Sequence, residues 1–245
     1  MSILSNIKEH IAHRKNYGSS RSLSKIKYIV IHYTSNDGDT DENNGKYFAN
    51  TVTQTSAHYF VDDDSITQSV PDNYVAWHCG GNKYPYSSGG SLHGKCTNTN
   101  SIGIEICDDV KNGVVYPSDK TIQNVLELTE HLMKKYNVPK DNVIRHYDVT
   151  GKACPAYWTS DAKWKSEFWN KIGGCGKVQT TSEFKSYLVK VTTETLNVRD
   201  GAGVNYPIKT TVKKNQVYTI VEEKNGWGKL KSGVGWVHLG YTKKV

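Results

Sequence analysis

The sequence predicts a mixed α/β domain, a central β-sheet flanked by helices, followed by a small all-β barrel. Three observations carry this. Apolar runs with the period of strands alternate with runs of helical period as far as about residue 172. Next comes Gly173-Gly174-Cys175-Gly176-Lys177-Val178-Gln179-Thr180-Thr181-Ser182, which has the composition of a flexible linker. Short β-rich runs separated by turn residues fill the rest of the 245-residue chain. The expected division is a catalytic domain at 1–175, a linker at 176–186 and a barrel at 187–245.

Tyr28–His32 is apolar throughout up to its histidine, as in a central strand covered on both faces. Asp41–Asn50 has helical composition, weakened by Gly45. Ser56–Val61 and Ser65–Val70 read as strands around the acidic turn Asp62-Asp63-Asp64. Ser101–Cys107 alternates at period two, placing Ile102, Ile104 and Ile106 on one face and Ser101, Gly103, Glu105 and Cys107 on the other. Thr121–Tyr136 is the clearest helix, capped by Ser118 or Asp119 and barred from continuing by Pro139. Asp161–Ile172 reads as one helix carrying Trp164, Phe168 and Ile172 on a core-facing side. Between Trp77 and Asn100 lies a long stretch rich in Gly, Ser, Asn and Tyr, a length more often functional than idle, and we expect it to rim a cleft. The barrel strands fall at Tyr187–Val191, Leu196–Arg199, Ile208–Val212, Gln216–Glu222, Gly226–Leu230 and Gly235–Leu239.

Charge is unevenly placed. Of the net +7, residues 187–245 carry +6, from ten Lys and Arg against four Asp and Glu. A basic module suggests a partner with negative charge. No Lys/Arg run or nucleic-acid motif is present, so nucleic acid is not expected, whereas anionic polymers of a cell wall fit. No apolar run reaches bilayer-spanning length, and insertion into a membrane is not expected. The N-terminus lacks the pattern of a secretory signal, which points to synthesis in the cytoplasm. The five cysteines show no close CxxC pair, so Cys79, Cys96, Cys107 and Cys175 read mostly as free thiols. A disulfide among them is left open for a protein working outside the cell.

Chemistry concentrates in Arg145-His146-Tyr147-Asp148-Val149-Thr150-Gly151-Lys152-Ala153-Cys154-Pro155, a loop-like setting with Gly and Pro. Imidazole and thiolate are preferred zinc ligands, and His32 supplies a second imidazole at the end of its strand. His32, His146 and Cys154 make three protein ligands and leave a fourth tetrahedral position for water, the mark of a catalytic site. His32 also fits a satisfied core histidine, and Cys154 a small buried apolar residue.

Five motifs settle on a resemblance. Val30-Ile31-His32-Tyr33-Thr34, Ser56-Ala57-His58-Tyr59-Phe60-Val61-Asp62, Ala76-Trp77-His78-Cys79-Gly80, Asn100-Ser101-Ile102-Gly103-Ile104-Glu105-Ile106 and His146 with Lys152-Ala153-Cys154-Pro155 occur in the order seen in zinc-dependent N-acetylmuramoyl-L-alanine amidases. The resemblance covers about residues 25–172 and extends to the related peptidoglycan recognition proteins. Leu196-Asn197-Val198-Arg199-Asp200-Gly201-Ala202-Gly203, Tyr206-Pro207, Asn225-Gly226-Trp227-Gly228-Lys229 and Gly235-Trp236-Val237 resemble a bacterial SH3-type cell-wall-binding domain. The combination is similar to phage endolysins and some autolysins.

The resemblance implies a peptidoglycan hydrolase holding Zn2+ on His32, His146 and Cys154, acting at the wall after release from the cell. Glu105 matches the family's general base or acid, and Lys152 would stabilise the developing oxyanion. One branch carries a tyrosine just before the His-Phe pair; this chain has Ala57 before His58-Tyr59, which moves that role to Glu105. His78 and Trp77 are expected at the cleft edge against substrate, His58 packed nearby, and Asp148 is a candidate to orient His146. Tyr206, Trp227, Trp236 and Tyr241 are candidates for wall binding, with Trp227 and Trp236 equally suited to barrel core. Two other readings stay open: a receptor that binds peptidoglycan without cutting it, and a cysteine endopeptidase using Cys154 with His146.

Overall fold

The computed structural model describes residues 2–36, 38–111, 114–173, 186–224 and 226–245. The chain divides into two compact units, Met1–Lys177 and Val178–Val245. Cys175 and, apart from Ser186, the expected linker lie outside the described residues.

In the first unit the strands run β1 (Ile7–Glu9), β2 (Tyr17–Ser20), β3 (Tyr28–Tyr33), β4 (Tyr59–Val61), β5 (Ile66–Gln68), β6 (Tyr74–Ala76), β7 (Ser101–Ile106), β8 (Asp109–Lys111), β9 (Val114–Tyr116) and β10 (Val143–Arg145). Helices α1 (Asp41–Asn50), α2 (Asp119–Tyr136), α3 (His146–Thr150) and α4 (Asp161–Glu167) lie among them. The main sheet has the order β1-β5-β4-β7-β3-β10, parallel at every pairing except β4 with β5. Helix α2 starts where Ser118 accepts a hydrogen bond from Thr121 N at 3.0 Å and ends at Asn137, which takes the left-handed conformation (φ 53°).

The sheet has one apolar face and one chemical face, and strand alternation decides which is which. Ile29 and Ile31 of β3 and Ile102, Ile104 and Ile106 of β7 join Ile122, Val125, Leu126, Leu128 and Leu132 of α2, with Trp158, Trp164 and Phe168 filling the remaining space. Each such side chain contributes about 1.5–3 kcal/mol on burial. On the other face a smaller cluster of Val30, Cys79, Cys96, Ile144 and Val149 leaves room for polar residues.

Several expectations change. The helix expected over Asp161–Ile172 stops at Glu167; the backbone leaves helical conformation at Phe168 (φ −134°, ψ −65°), whose fully buried ring lies against Trp158 and Trp164, and a 3-10 turn follows. The stretch read as loop-like from Arg145 opens with α3, a helix of one to two turns ended by Gly151 at φ 81°. Edge strand β1 and strand β10 are three residues each, too short to show a period.

The second unit is all-β: β11 (Tyr187–Val191), β12 (Thr195–Arg199), β13 (Ile208–Lys213), β14 (Val217–Lys224), β15 (Trp227–Leu230), β16 (Trp236–His238) and β17 (Thr242–Lys244). They form one antiparallel sheet in the order β13-β12-β16-β15-β14-β11-β17 around Val189, Val191, Leu196, Val198, Val212, Ile220, Leu230 and Val237. The strand β17, not expected from the sequence, pairs with β11.

Candidate metal centre

The chemical face is organised by the carboxyl ends of three adjacent parallel strands, the place where open α/β sheets gather ligands. His32 lies near the end of β3, Glu105 is its direct partner across the β3–β7 ladder, and His146 follows the last residue of β10. Cys154 arrives from the segment after α3. Residues separated by more than a hundred positions therefore meet because parallel neighbours end at one level.

His32, His146 and Cys154 each present one ligand atom, all within 4.8 Å of one another, and all three residues are buried. His32 Nδ1 lies 3.7 Å from Cys154 Sγ. The ring centroids of His32 and His146 are 4.6 Å apart. His146 Nδ1 is buried with no hydrogen-bond partner among the described residues, and so is Glu105 Oε2. Buried polar atoms left without partners are costly, so their gathering at one point fits a site made for a ligand. Burial, helped by the neighbouring histidines and Lys152, holds His32 and His146 below the ordinary imidazole range, His146 to about 4. Neutral imidazoles keep the lone pairs that a cation needs. Two nitrogens and a sulfur in this arrangement suit a tetrahedral ion with one open position.

A second cluster, Asp41, Asp62 and Asp64, has comparable spacing but a different character. Asp41 accepts from Ser65 Oγ at 2.9 Å and Thr67 Oγ1 at 2.7 Å, and Asp62 accepts backbone N–H groups of Asp41, Asp64 and Ser65. Those carboxylates tie the α1 start to the β4–β5 turn.

Glu105 Oε1 lies 3.9 Å from His32 Nδ1. Burial pushes its carboxyl up to about 8, aided by Asp108 and Asp39 and opposed by Lys152. A cation held by the trio would act in the same direction as Lys152. A carboxylate with raised basicity is matched to proton transfer near neutral pH. Lys152 is exposed and, with His146 and Thr150, lines a cavity of about 400 Å3 whose other wall is Gly80, Gly81, Asn82, Lys83, Tyr84 and Pro85. The 77–100 stretch thus reaches the cleft through its residues 80–85. It is fastened to α3 by hydrogen bonds from Tyr84 N to Thr150 O, Gly90 N to Tyr147 O and Leu92 N to Asp148 O, at 2.7–2.9 Å.

Three expected placements change. His78 does not line that cavity: its Nδ1 lies 3.0 Å from His32 Nε2 and its Nε2 3.0 Å from Ser101 Oγ, so both ring nitrogens are engaged behind the cluster. Trp77 also stays out of the cavity, its indole over Gly18, where an added Cβ would meet Nε1 at 3.1 Å. Asp148 holds Arg145 rather than His146, accepting from Arg145 N at 2.8 Å and Arg145 Nε at 3.0 Å. His58 is packed, as expected, its Nδ1 accepting from Gly103 N at 3.0 Å and its Nε2 lying 2.8 Å from Arg21. The contact of Ser101 with His78 was missed by sequence reading, although alternation had already put Ser101 on the face of Glu105.

The N-acetylmuramoyl-L-alanine amidase family matches residues 22–157, more than half of the chain. The chain belongs to that family. A bacterial SH3 domain matches residues 194–243. Among its relatives, the N-acetylmuramoyl-L-alanine amidase CwlL of Bacillus licheniformis is 36% identical over 67% of this chain and 45% of its own length. BlyA of Bacillus subtilis, also an N-acetylmuramoyl-L-alanine amidase, is 32% identical over 87% of this chain and 59% of its own. The chain spans about half the length of these curated relatives. A mutant endolysin from Bacillus subtilis superimposes with a TM-score of 0.54 at 31% identity, covering 71% of this chain and all of that one.

Against this family background, Cys154 reads poorly as a nucleophile. Burial first, then the Glu105 charge, pushes its thiol up, whereas reactive thiols are lowered and partly exposed. In the SH3 unit, Trp227 and Tyr241 line a cavity of about 360 Å3 with Arg199 and His238. The other two aromatic candidates lie elsewhere: the Tyr206 ring packs over Gly201, and Lys229 sits over Trp236 at 5.7 Å. Cys79, Cys96, Cys107 and Cys154 are free thiols. No helix among the described residues is long and apolar enough to cross a membrane.

Proposed function

We propose that this chain is a zinc-dependent N-acetylmuramoyl-L-alanine amidase that cuts the amide joining N-acetylmuramic acid to L-alanine in bacterial peptidoglycan. The carrying observation is the convergence of His32, His146 and Cys154, with unpartnered buried atoms on His146 and Glu105, in a chain of this family. Zinc on these residues supplies Lewis acidity, polarising a carbonyl and lowering the pKa of water. Glu105 takes the proton of the attacking water and returns it to the leaving amine. Lys152, on the open wall of the cavity, places a cation where charge develops on the carbonyl oxygen, an effect worth several kcal/mol. The 80–85 segment forms the opposite wall and holds the substrate strand.

The SH3 unit holds the enzyme at the wall, with Trp227, Tyr241 and Arg199 as contact residues and the excess of Lys and Arg drawing it to anionic wall polymers. A purely binding receptor has no use for a carboxyl with a buried, unpartnered oxygen beside three groups suited to a metal, which favours the catalytic reading.

The test is digestion of purified walls followed by mass spectrometry. New L-alanine amino termini and free muramic carboxyl groups are expected, with loss of both on chelation and recovery on adding zinc. His32→Ala, His146→Ala and Cys154→Ala should lose bound zinc and activity together. Wall cleavage at any other bond, or full activity in these variants, overturns the proposal. Tyr241→Ala in the full chain should reduce sedimentation with intact walls while leaving hydrolysis of soluble fragments unchanged.

A further inference from the structure

Behind the metal-binding trio runs a line of hydrogen bonds that the proposed reaction does not use. It begins at a backbone carbonyl. Ser101 Oγ donates to Thr97 O at 2.6 Å, and a hydroxyl has one proton to give. Facing His78 Nε2 at 3.0 Å, Ser101 Oγ is therefore the acceptor, and the His78 proton resides on Nε2. In the neutral ring, that leaves His78 Nδ1 bare. Lying 3.0 Å from His32 Nε2, it must accept, so the His32 proton resides on Nε2. His32 Nδ1 is then the unprotonated nitrogen, and it is the one that faces Cys154 Sγ at 3.7 Å.

The line is held rigidly at each step. Thr97, at its origin, joins Asn100 in a capping box that starts the 3-10 turn before β7. Ser101 and Gly103 lie on the same face of β7, and Gly103 has no side chain where the His78 ring sits; an added Cβ would come 2.6 Å from His78 Cγ. The backbone N–H groups of His78 and Cys79 both donate to Asn98 Oδ1, at 3.1 and 2.9 Å. Nothing in this arrangement lets the His78 ring turn over without losing two hydrogen bonds.

We infer that His78 is a positioning residue: through Ser101 and the Thr97 carbonyl, it fixes the His32 tautomer that leaves Nδ1 free for the metal. The inference rests on the metal-binding reading above. Outer partners of ligating histidines of this kind typically change metal affinity by about 10–100-fold when removed. It also explains why a histidine so near the cleft contributes nothing to its lining: its two nitrogens are spent on orientation.

The test uses the full chain. Long-range 15N–1H correlation on the zinc-free protein should show His32 and His78 both protonated on Nε2; a proton on Nδ1 of either ring overturns the inference, whether or not zinc binds. Zinc affinity, measured by competition with a chromophoric chelator, should fall about 10–100-fold in His78→Phe. His78→Asn, whose amide oxygen can take the place of Nδ1, should recover most of the loss. Equal affinities in wild type, His78→Phe and His78→Asn overturn the inference. If His78→Phe does not fold, the wild-type tautomers decide it. Failure of the wild-type chain to bind zinc would instead defeat the metal reading and leave the tautomer result standing.

Discussion

Gly103→Ala probes the chemical face with one carbon. The added Cβ would lie 2.6 Å from His78 Cγ, 2.7 Å from Nδ1 and 3.1 Å from Cδ2. Ordinary carbon–carbon contact lies near 3.5–4.0 Å, so the ring must retreat by about 1 Å or the strand must yield. The strand is poorly placed to yield. Gly103 pairs with Val30 in the middle of the sheet, its N–H donates to His58 Nδ1 at 3.0 Å, and its carbonyl accepts from His58 N at 3.0 Å. The ring therefore moves, and a shift of about 1 Å directed away from His32 would take its 3.0 Å contact with Nε2 beyond hydrogen-bond range. Overpacking of this kind costs about 1–3 kcal/mol. For a domain of this size each kcal/mol is roughly 2–4 °C of melting temperature, which gives a loss of about 2–12 °C. Zinc affinity should fall by about 10–100-fold, as for the loss of an outer partner. Calorimetry of the zinc-free chain reads the first quantity and chelator competition the second. A variant that melts with wild type and binds zinc equally well would refute the packing argument and the role given to the His78 contact.

Other perturbations separate the remaining roles. Glu105→Gln keeps the shape of the side chain and should retain zinc while turnover falls by about 10²–10⁴-fold; retained turnover would remove Glu105 from proton transfer. Lys152→Met should lower kcat by about a hundredfold or more with little change in zinc content, and an effect confined to KM would make Lys152 a binding group only. Trp158→Ala should cost about 3–5 kcal/mol, measured by denaturant unfolding, because the fully buried ring touches Trp164 and Phe168 and its Nε1 donates to Glu167 Oε2 at 2.8 Å. A loss below 1 kcal/mol would show that the aromatic cluster is not the packing centre we describe.

Much of this protein is written in local order. The alternation of Ser101–Ile106 assigned each residue to a face, because side chains in a strand point to opposite sides whatever surrounds them. The apolar stripe of α2, its Ser118 cap and the short strands of the SH3 unit follow from the same short-range rules. The chemical types of His32, His146 and Cys154 pointed to a candidate metal site, since few side chains offer such donors. Tertiary structure decided what each group faces. That Asp148 serves Arg145, that His78 stands behind His32, and that Trp77 leaves the cleft depend on which strands become parallel neighbours and where they end. Hydrogen bonds between residues far apart in the chain have no period to betray them; only the assembled sheet brings their donors and acceptors within 3 Å.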